Sequence, residues 1–212
     1  MAWLFHGVMV VPTLLAVLFW VGFCYRSNSL LKSVIKTGSV ATLAAIAVMV
    51  KAPVLLVAGL ALGAVGDWFL SRDHDKAFLT GLIAFACAHL AYIGLIWDGF
   101  GWDGTGHAAL ILVAICAVMA FVLWPRAGAL RWPVMAYVVI ICIMGLVALA
   151  QPDPQVWLAA GLFIASDTIL ALELFVLTAA HPLRRVTPFA VWGLYWLAQA
   201  HFLSAFARIG AA

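Results

Sequence analysis

The sequence predicts an all-α polytopic membrane bundle of eight transmembrane helices, forming a single integral membrane domain over residues 1–212. Three observations carry that prediction. The chain is 67% hydrophobic and 9% charged, with a mean hydropathy of +1.18, whereas soluble domains carry about 25% charged residues. Its apolar residues fall into segments near the roughly 20 residues a helix needs to cross hydrocarbon. Its Lys and Arg residues sit almost entirely between those segments. The net charge of +3 therefore points to no nucleic-acid partner.

The first span, about 3–24, contains WLFHGVMVVPTLLAVLFWVGF. It is too long for a signal-peptide core and lacks a positive segment before it, so it reads as a retained helix. Span 2 (33–50) ends at Lys51, and span 3 (52–71) follows after little more than KAP, which demands a tight hairpin. Span 4 (77–97) runs from Lys76 to the Gly-rich DGFGWDGTG. Span 5 (107–124) stops at Pro125-Arg126, and span 6 (132–150) lies between Arg131 and QPDPQ. Spans 7 (156–178) and 8 (188–208) flank the His-Pro-Leu-Arg-Arg connection. Trp20, Trp68, Trp97, Trp124, Trp132 and Trp157 fall near span ends, as interfacial anchors do.

Basic residues orient the bundle. The connections after spans 1, 3, 5 and 7 hold Arg26, Lys32, Arg72, Lys76, Arg126, Arg131, Arg184 and Arg185, with Lys36 nearby. The opposite side has Lys51 and Arg208. Positive connections face the cytoplasm, so both termini are expected to be non-cytoplasmic, in a bacterial inner membrane. GDWFL in span 3 is echoed by SDTIL in span 7, and ACAHLAY in span 4 by LAQAHFL in span 8. These echoes suggest a 4+4 internal duplication. Cys24, Cys87, Cys116 and Cys142 show no CxxC spacing, so they read as packing residues rather than a disulfide or zinc framework.

Against this background the acids stand out. A charged side chain at mid-membrane costs about 2.5–3.5 kcal/mol on insertion scales. Asp67 lies five residues before Arg72, about 7 Å below the boundary at 1.5 Å per residue. Gly59, Gly63 and Asp67 share one helix face, and glycines there let another backbone approach, turning the carboxyl inward. The plainer reading pairs Asp67 with Arg72 or Lys76. Asp167 is eleven residues from either end of span 7, so it must pair, be protonated or meet water; Ser166 beside it could serve a structural hydrogen bond. Glu173 could be a third acid, cap the cavity mouth or pair with Arg184. Lys36 could bind a lipid phosphate, hold one Asp ionised or merely snorkel. His89 and Tyr92 share a face of span 4, and Tyr195 and Gln199 share one on span 8. His201 lies off that face. Asp73, His74 and Asp75 are adjacent and diverge, so SRDHDK reads as a solvated helix cap, not a metal site.

Several chemistries lack their signatures. There is no GxSxG nucleophile elbow, no HExxH pair and no P-loop. What remains is carboxylates with a Lys, a His and Tyr/Gln donors, a set able to perform acid–base hydrolysis without metal or cofactor.

The residues GDWFL, GLIAFACAHLAYIG (a G-x-x-x-F-x-x-x-H-x-x-Y pattern), SD in span 7 and YWLAQ in span 8 resemble the lysoplasmalogenase, or YhhN-like, family over roughly residues 32–205. The resemblance implies an eight-helix membrane hydrolase that cleaves the vinyl ether of lysoplasmenylcholine or lysoplasmenylethanolamine. The products are a fatty aldehyde and the glycerophospho headgroup. Carried over, the family acids match Asp67 and Asp167, and its span 2 Lys matches Lys36, with Thr37 where Pro is usual. The implied partners are a lysophospholipid substrate and membrane lipids. On this reading Asp167 is the general acid and Asp67 the ionised partner, a division that could be reversed because coupled carboxyls titrate as a pair. Lys36, with Arg72 or Lys76, would hold the phosphate. Tyr92, Tyr195, His89 and Gln199 would orient the acids. The rival readings are a proton-coupled transporter and a non-catalytic lipid-binding protein. Pro12, Pro53, Pro133 and Pro188 approach spans only near their ends, whereas carriers often break helices at the midplane.

Overall fold

A computed structural model of the chain describes residues 7–97 and 106–207. The described residues form eight α-helices: α1 (Val10–Gly22), α2 (Leu30–Met49), α3 (Val54–Leu70), α4 (Asp75–Ile96), α5 (Gly106–Leu123), α6 (Arg131–Leu149), α7 (Pro154–Phe175) and α8 (Thr187–Ala207). Short 3-10 turns, Gly128–Leu130 and Pro182–Arg185, precede α6 and α8. Each helix matches one expected span. The first residues of span 1, most of the DGFGWDGTG loop and Arg208 lie outside the described residues.

Local chemistry sets several boundaries. Ser29 caps α2 by accepting from the Lys32 amide at 3.2 Å. Asp153 caps α7 by accepting from the Gln155 amide at 2.9 Å, with Pro154 in the first turn, where its missing N–H costs nothing. The KAP hairpin closes because Lys51 adopts φ 55°, so the Ala52 amide folds back onto the Ala47 carbonyl at 2.9 Å.

Two long hairpins, α3–α4 and α7–α8, form the largest interfaces. α2 packs on α3 and α8, α6 packs on α4 and α7, and α1 and α5 lie against α2 and α6. The centre is filled by Leu56, Leu60, Tyr92, Met144, Phe163, Phe202 and Leu203, all fully buried. The outer faces are apolar too. α5 buries only Cys116 and Leu123 while exposing Leu110, Ile111 and Phe121, the pattern of a helix that faces lipid.

Five helical segments are long and apolar enough to cross a bilayer: Leu30–Met49, Lys76–Ile96, Gly106–Leu123, Gly128–Leu149 and Pro154–Phe175. α1 and α3 are shorter apolar helices. α8 has the length, but Gln199, His201 and its Tyr and Trp residues dilute its apolarity. The protein is a polytopic membrane helical bundle.

The α3–α4 contact depends on missing side chains. A Cβ on Gly59 would lie 2.5 Å from the Tyr92 ring, and one on Gly66 would lie 2.6 Å from the Phe85 ring. Tyr92 cannot yield, since it stacks on Phe202 at 4.2 Å. Gly59→Ala should lower stability by about 1–3 kcal/mol, read as a lower melting temperature in detergent. Gly161→Ala, whose Cβ would meet nothing within 4 Å, should show no such loss. Equal melting of the two variants would contradict the packing described.

Candidate active site

The inward face of α3 brings Asp67 against α8 and α2. A Cβ on Gly63 would sit 2.5 Å from Gln199 Nε2 and 3.1 Å from the Tyr195 hydroxyl, so the glycine admits α8 at that level. Asp67 is 1% exposed. Lys36 Nζ lies 3.1 Å from its Oδ1, and Tyr195 donates to Oδ2 at 2.8 Å. The lysine contact is an ion pair without aligned hydrogen-bond geometry, which leaves Oδ1 with unused acceptor capacity. Behind Tyr195, Gln199 Nε2 donates to its hydroxyl at 3.3 Å, and Tyr92 donates to Gln199 Oε1. Every hydrogen in this chain points toward Asp67. Such an arrangement suits a carboxylate, which only accepts.

Asp167 has different company. The Tyr137 hydroxyl, from α6, donates to Oδ2 at 2.5 Å. His89 Nε2 lies 3.7 Å from the same oxygen and has no hydrogen-bond partner. The other ring nitrogen, Nδ1, is 2.6 Å from the Phe85 carbonyl. That carbonyl only accepts, so Nδ1 carries a hydrogen, and in the neutral ring Nε2 then presents a lone pair to Asp167. The lone pair is satisfied when Asp167 holds a proton. No Lys or Arg is ion-paired with Asp167 among the described residues.

Both acids line one cavity of about 340 Å³. The residues that line it come from the half of each helix nearest the basic connections: Lys32 and Lys36 on α2, Asp67 and Leu70 on α3, Phe78 and Phe85 on α4, and Glu173 and Leu174 on α7. Phe163, fully buried, packs against residues that reach both acids. Its ring meets His89 at 4.5 Å, Tyr195 at 5.3 Å and Phe85 at 6.3 Å, so one residue packs beneath the partners of both acids. Ile115, Cys116 and Met119 of the lipid-facing α5 form an apolar wall.

The expected residues are redistributed in three ways. Lys36 is engaged with Asp67 and lies 5.8 Å from the Trp192 ring centre, so it is not free at the mouth for a phosphate. Arg72 stacks over Trp68 at 4.3 Å and, like Lys76, does not line the cavity. Asp67 lies nearer its helix end than Asp167 does, yet its side chain is 1% exposed against 16% for Asp167. The cavity reaches down to Asp167, whereas Lys36 and Tyr195 wrap Asp67.

Ser166 donates to the Val191 carbonyl at 3.0 Å and ties α7 to α8 rather than touching an acid. Arg184 donates to the backbone carbonyls of Glu173 and Leu177, leaving the Glu173 carboxylate unpaired with it. Asp73 accepts from Asn28 of the connection before α2 at 2.5 Å, and among the described residues no side chain caps the start of α4.

Tyr137 and Phe163 were missed by sequence reasoning. Phe163 is one more aromatic in an apolar span and carries no signal. Tyr137 carries a faint one: the hundred-residue offset between Asp67 and Asp167 places it beside the counterpart of Lys36.

The YhhN family model matches residues 31–206. A protein called lysoplasmalogenase from Mycobacterium bovis is 36% identical over 132 residues, which is 58% of this chain and 50% of that protein. Lysoplasmalogenase TMEM86A of Bos taurus is 35% identical over 129 residues, 55% of this chain and 52% of its own length. Lysoplasmalogenase TMEM86B of Homo sapiens is 35% identical over 127 residues, covering 60% and 54%. The chain spans about half the length of the curated relatives it matches. No solved structure matches it. With its matched region running from the start of α2 to the end of α8, around both acids, this chain belongs to the YhhN family.

Proposed function

We propose that the protein hydrolyses the vinyl ether bond of a lysoplasmalogen, with Asp167 as general acid and Asp67 as the ionised partner. The observation that carries this reading is that the two acids line one cavity in opposite settings. Asp67 meets a cation and an aimed hydroxyl. Asp167 meets a hydroxyl and an unpaired nitrogen. Carboxyls held in split protonation states are the equipment of glycosidases, whose transition state is also an oxocarbenium-like cation. The relatives called lysoplasmalogenase support the same chemistry.

Asp167 delivers its proton to the vinyl carbon remote from oxygen, and the oxygen lone pair closes onto the adjacent carbon as an oxocarbenium ion. Asp67 stabilises that cation by charge. Water held at the open side of Oδ1 then adds, and Asp67 takes the proton it sheds. As the hemiacetal collapses, Asp67 returns a proton to the departing glycerol oxygen and Asp167 removes one from the hemiacetal hydroxyl. The aldehyde leaves with both acids restored. Lys36 and Tyr195 position Asp67; Tyr137 and His89 position Asp167. The α5 wall takes the hydrocarbon tail.

The mouth lies at the end of the bundle that carries the basic connections, which on the positive-inside rule faces the cytoplasm, so the headgroup enters from the inner leaflet. The repeated plan supports the 4+4 duplication. Each acid takes one partner from the second helix of its own half, Lys36 or Tyr137, and one from the fourth helix of the other half, Tyr195 or His89. α3 and α7 run unbroken past Asp67 and Asp167, which favours a fixed catalytic cavity over a carrier with broken helices.

Asp67→Asn and Asp167→Asn, purified in detergent and still folded, should each lose aldehyde release by about 10²–10⁴-fold, the usual worth of a positioned acid or base. Full activity in either variant removes that acid from the mechanism. Tyr137→Phe should cut kcat/KM about tenfold or more, by removing the one hydroxyl on Asp167. An unchanged value would leave Tyr137 as packing.

A further inference from the structure

We propose that Lys32 and Glu173 read the headgroup as a pair, Lys32 taking the phosphate diester and Glu173 the ammonium beyond it, so that the site selects zwitterionic over purely anionic lysolipids. The inference rests on the reaction proposed above. Both side chains line the cavity and both are half-buried. Lys32 lies two residues from the start of α2 and Glu173 two from the end of α7, so the two stand at one level, at the mouth. The cations that might have neutralised Glu173 or bound phosphate are committed elsewhere: Lys36 to Asp67, Arg72 to Trp68, and Arg184 to the backbone carbonyls ending α7. Lys32 donates at 2.6 Å to a neutral oxygen, the Arg26 carbonyl, and among the described residues neither Lys32 nor Glu173 is in an ion pair. The mouth thus offers one positive and one negative charge, each half-desolvated and available.

A bare phosphate satisfies Lys32 but places its extra negative charge against Glu173. A phosphoethanolamine or phosphocholine group satisfies both. The depth also fits. Asp167 precedes Glu173 by six residues, about 9 Å of helix axis at 1.5 Å per residue, leaving room for a glycerol between the headgroup and the vinyl ether. Phosphate is held at the rim while the scissile bond reaches the acids.

The test compares kcat/KM for three 1-alkenyl lipids: the lysophosphoethanolamine, the bare lysophosphate and the headgroup-free alkenylglycerol. The wild type should favour the phosphoethanolamine over the bare phosphate. Glu173→Gln should shrink that ratio about tenfold, the scale of one lost charge-assisted contact. Glu173→Lys should invert it, and Glu173→Asp should keep it. Lys32→Gln should raise KM for both phosphate-bearing lipids about tenfold relative to alkenylglycerol. An unchanged ratio in Glu173→Gln and Glu173→Lys, both melting like the wild type, overturns the pair. Should the wild type release no aldehyde from any of the three, the reaction is wrong and the headgroup reading is still decided by binding. In that case uncleavable 1-alkyl lysophosphoethanolamine should raise the melting temperature more than 1-alkyl lysophosphate does in the wild type, and equally in Glu173→Gln. Equal shifts in the wild type would overturn it.

Discussion

A carboxylate in the apolar interior of a membrane bundle has to be compensated, and the contact between Lys36 and Asp67 at 3.1 Å is the compensation on which the rest of this site depends. It ties α2 to α3 at the level where the cavity begins. It leaves Oδ1 of Asp67 without a hydrogen bond. It also commits Lys36 to the acid. Breaking one partner of such a pair strands a buried charge, which costs about 3–5 kcal/mol. The Tyr195–Gln199–Tyr92 chain extends the compensation through α8 to α4, with every donor pointing the same way. Buried polar chains of this kind are stable only when each member is satisfied.

Asp167 is treated differently because it is reached differently. Among the described residues no Lys or Arg pairs with it, and His89 Nε2, 3.7 Å away, has no hydrogen-bond partner. The two halves of the bundle thus give chemically identical side chains different partners, Lys36 and Tyr195 for one, Tyr137 and His89 for the other. Phe163 packs against a partner of each acid. Tyr92, Phe202, Met144 and Leu203 beneath these rings are fully buried, as close-packed interiors require.

Much of this was legible in the sequence, and for identifiable reasons. Hydropathy and punctuation located all eight helices, because a span longer than about 18 apolar residues has few other fates. Asp67, Asp167, His89, Tyr92, Tyr195 and Gln199 stood out because a polar group in hydrocarbon needs a reason. Their partners did not. Whether Lys36 served a phosphate or an acid depended on how closely α2 approaches α3, which no periodicity encodes. Tyr137 donates to Asp167 across an interface between α6 and α7, thirty residues apart in the chain. Asp67 is nearer the helix end than Asp167 yet the less exposed of the two. Exposure here follows the shape of the cavity, not depth along the helix. Phe163 was invisible, since an aromatic among aliphatics looks like any other core residue.

The central claim is that a buried carboxylic acid transfers its proton to carbon in the slow step, with a carboxylate waiting for the cation. The most direct test is single-turnover aldehyde release from a lysoplasmalogen by the purified wild-type protein in H₂O and in D₂O. The account predicts clearly slower release in D₂O and one deuterium on the carbon next to the aldehyde. Equal rates in the two solvents would mean that proton transfer to carbon does not limit the reaction, and would contradict the role given to Asp167.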